Sequence, residues 1–520
     1  MNLKEKIGQF FFPAAFIHDS EENIAALEKT IQHHQIGGLT FFHSRHAAAA
    51  NFEKRQENLV SDNTLQKLLG LIERYQNASK TPLLTSIDAE FGLAMRIENT
   101  PQYPYAITLG AIPENQKDLV WEVGYRIGKD LKQCGIHINF APVADINSNP
   151  NNPVIGYRSF GTDKNKVSRF ALSMYKGMET AGVSACYKHF PGHGDTDVDS
   201  HLGLPIIYKS KQELKEEELF PFIEGIKSGV KMIMVGHLAA PALSSGKNIP
   251  ASISKEIISD LLIDQLGFEG IVVSDALNMK SVSGLFQQRG RLEWEAFNAG
   301  NDILCFSENV EEGIEMIAAK ADVTRIERSF GKIMDLKNRL GLMEKKSIKH
   351  AYFDWDDHHT FNEKLASHYI SVLVENNSVS DIIDSRSFAK VSIFNPLFNP
   401  FFGELDNHQS TPSFEINSVN DLAWKDLHQF ENLLIALYVP SAKPVNHFGL
   451  DIEVLKKLSE LTKTKNCQLY LFGNPLALKE LPNKENVCKI ICAFQNFENV
   501  QKTAALYFLD ELDTEIRFDM

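Results

Sequence analysis

The densest chemistry in this 520-residue chain is the run KHFPGHGDTDVDSH at 188–201. It holds three histidines (His189, His193, His201) and three aspartates (Asp195, Asp197, Asp199) on a path bent by Pro191, Gly192 and Gly194. Three readings fit these residue types. Imidazoles and carboxylates are metal ligands. A polar loop can simply be solvated. An Asp–His pair can also move protons. Asp199 and His201 are two apart, so in an extended segment they project to the same side. A carboxylate beside an imidazole raises its pKa and orients the ring. Such a histidine stays protonated near neutrality and can give its proton to a leaving group. Composition does not decide which histidine acts. Asp275 is the second candidate, following the apolar run GIVVS and preceding ALNM. There it could be a nucleophile, a base, a metal ligand or a structural acceptor. Glycoside hydrolysis needs one carboxylate near the anomeric carbon and one proton donor near the leaving oxygen. Asp275 and the 188–201 loop could supply both.

The elements that must position these groups are short apolar runs alternating with amphipathic stretches over the first 340 residues. Eight strands are predicted, near 7–12, 37–42, 82–88, 136–145, 183–189, 230–237, 270–275 and 301–306. Runs such as LLTSID, KMIMVGHL and IVVSD have the look of parallel strands buried on both faces. Helical periodicity covers 116–133, closed by Gly135, and 166–181, closed by Gly182. It also covers 211–228, with an acidic first half and Lys227 near its end, and 323–340, closed by Gly341. Eight such alternations predict an α/β fold of the (β/α)8 TIM-type barrel class. A doubly wound open sheet would call for a glycine-rich phosphate loop after the first strand, and none is there.

Catalytic groups of such barrels sit at the C-terminal ends of strands. The predicted strands end at Asp88, near Asp145, at Lys188 and His189, at His237 and at Asp275. Any one of these could merely cap a helix; together they would ring one mouth of the barrel. We assign residues 1–346 to the barrel. Residues 347–520 are assigned to a smaller α/β layered domain, an αβα-sandwich type. Its predicted strands are VSIFN (391–395), NLLIALYV (432–439), CQLYLFGN (467–474) and CKIICAF (488–494), and its predicted helices 362–375, 451–464 and 498–508. This domain carries no recognisable chemical motif. It could brace the barrel or border the site.

Composition narrows the function classes. The chain is 43% hydrophobic and 23% charged, ordinary for a globular protein. With 53 Lys plus Arg against 67 Asp plus Glu, the net charge is −14. An acidic surface without a basic block argues against a nucleic-acid partner. Six cysteines (Cys134, Cys186, Cys305, Cys467, Cys488, Cys492) make no disulfide framework, and no Cys-x-x-Cys pair suggests structural zinc. The N-terminal run is interrupted by Pro13 and lacks a signal peptide's order. No run approaches the ~20 apolar residues of a membrane span. The expectation is a cytoplasmic protein with a small-molecule substrate and no membrane partner.

The motif KHFPGHGDT followed by DSH resembles the signature of glycoside hydrolase family 3, in particular its bacterial β-N-acetylglucosaminidase (β-hexosaminidase) branch. IDAEFGLAMR (87–96), NFAPVADIN (139–147), YRSFGTD (157–163) and VVSDALNM (272–279) match other segments of the family in order and spacing. The resemblance implies that Asp275 is the nucleophile of a covalent glycosyl-enzyme. It implies that His201, paired with Asp199, is the general acid/base, in place of the usual second carboxylate. Asp88, Arg96, Arg158, Lys188 and His189 would hold the sugar hydroxyls, and His237 would support Asp275 from behind. No metal or cofactor is required. The implied substrate is N-acetylglucosamine attached to muramic acid in cell-wall fragments that bacteria recycle. Four other readings stay open: a β-N-acetylglucosaminide phosphorylase, a β-glucosidase, a non-catalytic sugar-binding protein and a metalloenzyme built on the His/Asp loop. One departure from the family pattern is Phe91, where the D-x-E-G-G segment has glycine; it could reshape the sugar pocket or its entrance.

Overall fold

The structure is a computed structural model that describes residues 1–45, 63–197, 203–344, 355–375, 388–395 and 399–509. The chain forms two compact units. One comprises Met1–Tyr103 with Lys117–Phe353, the other Pro104–Gln116 with Asp354–Met520.

The first unit is built on β1 (Phe11–Phe12, continuing as Ala14–His18), β2 (Gly38–Ser44), β3 (Leu84–Ile87) and β4 (Ile138–Asn139). It continues with β5 (Ser184–Ala185 and Tyr187–Phe190), β6 (Met232–Val235), β7 (Ile271–Ser274) and β8 (Leu304–Cys305). Each strand pairs in parallel with the next, the β7–β8 link being the bridge Val273–Ile303. β8 returns to β1 through the register Phe11–Leu304 and Phe12–Cys305. The sheet therefore closes, and the expected TIM-type barrel is present. Every residue of β2 through β8 is buried, which is why these strands read as unbroken apolar runs. Inside the closed barrel Thr40 Oγ1 meets Ser86 Oγ at 2.9 Å and Cys305 Sγ at 3.6 Å, so the polar atoms on these inward faces satisfy one another.

Two expectations for the barrel strands are corrected. The first strand was expected at 7–12, but Leu3–Gly8 is a helix and the strand starts at Phe11. A capping box decides this: the Asn2 side chain accepts from the Glu5 N–H and the Glu5 side chain from the Asn2 N–H. The fourth strand, expected over 136–145, is regular only at Ile138–Asn139, because Pro142 has no N–H to donate to a ladder. Beyond it Val143 rejoins the sheet as a bridge to Lys188.

The helices flanking the site are set by local signals. Lys164–Ala181 starts where the Asp163 side chain accepts from the Lys166 N–H and stops at Gly182, whose φ of 87° only glycine adopts without strain. It lies against Lys117–Gln133 with backbones nearly touching. A Cβ on Gly124 would stand 2.2 Å from the Met174 carbonyl oxygen, and one on Gly177 2.1 Å from that of Trp121. The predicted helix 211–228 is two helices, Lys211–Glu216 and Phe220–Lys227, the second starting with Pro221 in its first turn.

The second unit is a six-stranded sheet of β9 (Ser371–Glu375), β10 (Phe388–Ile393), β11 (Ser413–Ile416), β12 (Asn432–Tyr438), β13 (Asn466–Phe472) and β14 (Lys489–Cys492). The order is β9-β14-β13-β12-β10-β11, parallel except for β9. Residues 362–375 were expected to be one helix. The helix runs Asp356–Tyr369 and gives way to β9, where Val372 and Val374 favour the extended chain. β11 was not anticipated: it is a mostly exposed edge strand and shows no apolar run. Pro104–Gln116 joins this unit, the Tyr105 N–H donating to Gln495 Oε1 at 3.0 Å.

The glycine contacts generate a paired test. Gly124→Ala forces two backbones apart and is expected to cost about 1–3 kcal/mol. Gly331→Ala, where a Cβ meets nothing within 4 Å inside the helix Val323–Arg339, is expected to be neutral or to gain up to about 1 kcal/mol of helix propensity. Urea unfolding of both variants beside the parent checks this.

Candidate active site

The C-terminal ends of β3, β4 and β5 converge on one charge network. Lys188 on β5 is 2% exposed, and its Nζ lies 2.8 Å from Asp88 Oδ1 and 2.7 Å from Glu90 Oε1. Arg158 grips Glu90 with two donors, Nε to Oε2 at 2.9 Å and an η nitrogen to Oε1 at 2.7 Å. Arg96 donates to Asp88 Oδ2 at 2.9 Å. Burial pushes the Asp88 and Glu90 carboxyls up, but Lys188 with Arg96, and Arg158 with Lys188, outweigh it and hold both below the usual carboxylate range. Burial pulls Lys188 down, and the two carboxylates more than restore it. The network is thus ionised throughout. Carboxylate oxygens and guanidinium and ammonium groups of this kind are suited to hydroxyls, since each accepts or donates charge-assisted hydrogen bonds.

His189 is fixed from the next strand. Asp145, with a fully buried carboxylate beyond β4, accepts from His189 Nδ1 at 2.8 Å and from the His189 backbone N–H at 3.2 Å. The same carboxylate accepts from the His193 N–H at 2.8 Å. His189 Nε2 lies 3.5 Å from an Arg158 nitrogen. The peptide bonds Lys188–His189 and Phe190–Pro191 are cis.

The middle of the motif is loop architecture. His193 Nδ1 bonds Thr196 Oγ1 at 2.8 Å, Thr196 donates to the His193 carbonyl at 3.0 Å, and Asn152 Nδ2 donates to the His193 and Gly194 carbonyls. Gly194 is required: a Cβ there would stand 1.5 Å from the Ile146 carbonyl oxygen. Asp195 lies 3.2 Å from Lys209 Nζ, which also binds Glu218.

Asp275 follows β7 directly. Its N–H donates to the Val235 carbonyl at 3.0 Å, and its Oδ1 accepts from the Ala276 N–H at 2.8 Å. Burial raises its pKa, but His237, His189, the Ala276 N–H and Lys188 together bring it to about 2. His237 is fully buried, with Nδ1 2.6 Å from Ser252 Oγ and Nε2 2.9 Å from the Ala276 carbonyl. It therefore orients the backbone that holds Asp275.

Of the predicted site residues, Asp88, Arg96, Arg158, Lys188 and His189 meet in one network, and Asp275 and His237 meet beside it. Asp199 and His201 lie outside the described residues. Two members were not anticipated as site residues. Glu90, two positions from Asp88 inside the quoted IDAEFGLAMR, is the second anchor of Lys188. Asp145 was noticed only as a strand end. The i, i+2 spacing of Asp88 and Glu90 was the available signal. Phe91 is buried at 2% exposure, its carbonyl accepting from the Tyr103 N–H at 2.8 Å.

The buried His193 yields a pH test. Burial and the neighbouring His189 lower its pKa to about 4, and its Nε2 has no hydrogen-bond partner among the described residues. An unfolded histidine takes up its proton near pH 6.5, so the folded state, whose pKa is depressed, loses stability as pH falls from 6.5 towards 4. His193→Asn keeps a polar side chain able to donate to Thr196 and removes the titration. At pH 4 it is expected to escape about 3 kcal/mol of acid destabilisation relative to its value at pH 7. Urea unfolding at the two pH values measures the difference.

Comparison with known proteins places this geometry. Residues 2–340 match the glycosyl hydrolase family 3 N terminal domain. The chain is 36% identical over 322 residues to "Beta-hexosaminidase A" of Pseudoalteromonas piscicida, covering 59% of this chain and 51% of that protein. It is 36% identical over 236 residues to a "Beta-hexosaminidase" of Neisseria meningitidis serogroup C, covering 44% of this chain and 63% of that one. The matches thus span about half to two thirds of these relatives. Among solved structures, a glycoside hydrolase family 3 β-N-acetylglucosaminidase from Paenibacillus sp. superposes with a TM-score of 0.78 at 25% identity, over 99% of this chain and 98% of that one. With a family match over the whole barrel and the family's motifs at its strand ends, the chain belongs to glycosyl hydrolase family 3.

Proposed function

We propose that this protein is a retaining exo-β-N-acetylglucosaminidase, a β-N-acetylhexosaminidase that removes a non-reducing terminal N-acetylglucosamine. The observation that carries the reading is Asp275. It is a half-buried carboxylate at the end of a barrel strand, kept ionised by His237, His189 and Lys188. A nucleophilic carboxylate must be unprotonated and rigidly aimed, and the Ala276 N–H and the buried His237 answer both needs. The names of the relatives support the amino-sugar substrate.

The reaction runs in two displacements. Asp275 attacks the anomeric carbon and the bond from that carbon to the aglycone oxygen breaks. His201, oriented by Asp199, gives its proton to the departing oxygen. Water then attacks the same carbon, His201 takes the water proton, and the Asp275 ester breaks, releasing the sugar with retained configuration. Asp88, Arg96, Arg158, Lys188 and His189 hold the sugar hydroxyls; Glu90 and Asp145 position Lys188, Arg158 and His189. The roles of Asp199 and His201 rest on the sequence motif. The family resemblance suggests muropeptides, recycled in the cytoplasm, as the natural substrate.

Two variants test the mechanism. Asp275→Asn, confirmed folded by circular dichroism, is expected to lose all but about 10⁻⁴ or less of turnover of a chromogenic N-acetylglucosaminide; retained turnover would remove Asp275 from the nucleophile role. His201→Ala is expected to slow substrates with poor leaving groups by about 10²–10⁴ and activated ones far less, because only the former need a proton. Equal losses on both would sink the assignment. Hydrolysis of an N-acetylglucosaminide against a glucoside, each with and without phosphate, checks the sugar and the acceptor: the expected result is amino-sugar preference and no phosphate dependence.

A further inference from the structure

A second cluster of ligand-type side chains stands on the same end of the barrel, separate from the charge network. His18 is the last residue of β1, His43 lies near the end of β2, and Glu98 follows β3 two residues after Arg96. One ligand atom from each falls within 4.8 Å of the others. The two imidazole rings are 4.6 Å apart. His43 Nε2 lies 2.7 Å from Glu98 Oε1.

The hydrogen bonding of this cluster is incomplete. The His43 side chain is 3% exposed, yet apart from the 2.7 Å approach of Nε2 to Glu98 Oε1 neither of its ring nitrogens, nor the buried Glu98 Oε2, has a partner in hydrogen-bond geometry among the described residues. Buried polar atoms in folded proteins are nearly always paired, so ligand-type atoms gathered within 4.8 Å of one another without such pairing mark a place for something that binds them. Thr64 Oγ1 stands 3.0 Å from His18 Nε2, and Lys67 Nζ stands 3.3 Å from His18 Nδ1. Burial, His43 and Lys67 lower the His18 pKa. Lys67 is exposed and can swing into solvent when a cation arrives. Glu98 is held ionised: burial pushes it up, but His43 and Thr64 bring it to about 2.

We propose that His18, His43 and Glu98 form a binding site for a divalent transition-metal ion, with zinc the best-fitting member. Two imidazoles and one carboxylate are the ligand set of a three-residue site that keeps a fourth position for water. Imidazole donors favour zinc, copper, nickel and cobalt over magnesium and calcium. Ligand atoms around a zinc ion at about 2.0–2.2 Å sit roughly 3.3–3.6 Å apart, and the three ligand atoms here lie within 4.8 Å of one another. The ion would clamp the ends of β1 and β2 to the segment that carries Arg96. It is a structural tie beside the sugar-binding residues and takes no part in the glycosyl transfer proposed above.

The test uses the full-length protein, stripped with a chelator and then titrated with Co²⁺ and Zn²⁺. One equivalent of Co²⁺ is expected to give the visible ligand-field bands of a histidine-bound ion, to be displaced by Zn²⁺, and to raise Tm. His43→Ala and Glu98→Gln are each expected to weaken this binding by at least ~10-fold, the loss that even outer-shell changes can cause, and to remove the Tm increase. Circular dichroism and Tm of the metal-free variants establish that they fold; if either does not, His18→Gln, on the part-exposed rim, gives the same reading. No saturable equivalent in the parent protein overturns the proposal. So does a binding step that survives unchanged in the folded variants, since the ion would then sit elsewhere.

Discussion

The ammonium of Lys188 is held between two carboxylates, Asp88 and Glu90, at 2.8 and 2.7 Å, almost out of reach of water. A buried lysine without such partners would lose its proton, and two carboxylates brought this close without a shared cation would not both stay ionised. Each charge is tolerable only because the others are in place. The arrangement requires β3 and β5 to present their C-terminal ends in fixed register, and only the closed barrel supplies that. Arg96 and Arg158 complete the balance from the segments after β3 and β4. The result is a rigid polar surface whose hydrogen-bonding capacity is already oriented before any ligand arrives, and preorganisation of that kind lowers the cost of binding.

The same logic orders the outer positions. Asp145 spends its carboxylate on His189 and on the backbone of His193, so the first part of the KHFPGHGDT motif is pinned from β4. His237 spends both ring nitrogens on Ser252 and on the Ala276 carbonyl, so the backbone after β7 is pinned from β6. In each case a buried group on one strand fixes the working group on its neighbour. Charge balance and rigidity are therefore shared around the ring, and the Asp275 carboxylate inherits its low pKa from His189 and Lys188 on β5, from His237 after β6 and from the Ala276 N–H.

The second unit differs in kind. Its sheet is parallel except at one edge, where β9 runs antiparallel to β14, and its core is aromatic, with Phe401 against Tyr470 and Phe472. Its elements follow from ordinary strand and helix patterns. The hydrogen-bonded network that gives the barrel mouth its chemistry has no counterpart among its described residues.

Much of this was legible in the residues themselves. Burial on both faces makes a parallel strand an apolar run, and eight such runs with intervening amphipathic helices are a barrel pattern. A titratable residue at the end of five of these runs marks the mouth, so Asp88, Asp145, Lys188, His189, His237 and Asp275 could be named as strand ends without coordinates. Local competition was harder to see. The capping box at Asn2 turned an apolar start into a helix, Pro142 shortened β4, and the exposed edge strand β11 had no apolar run to announce it. The partnerships were not legible at all. Lys188 and Asp88 are 100 residues apart in the chain, and nothing local says that Glu90 shares that lysine, that Asp145 holds His189, or that His18, His43 and Glu98 converge. Strand order and register bring them together, and those are set by closure of the whole sheet rather than by any segment of it. The amino-acid sequence by itself determined which groups are present and on which end of which strand; the tertiary structure decided which of them touch, because contact between residues on different strands exists only once the barrel has closed.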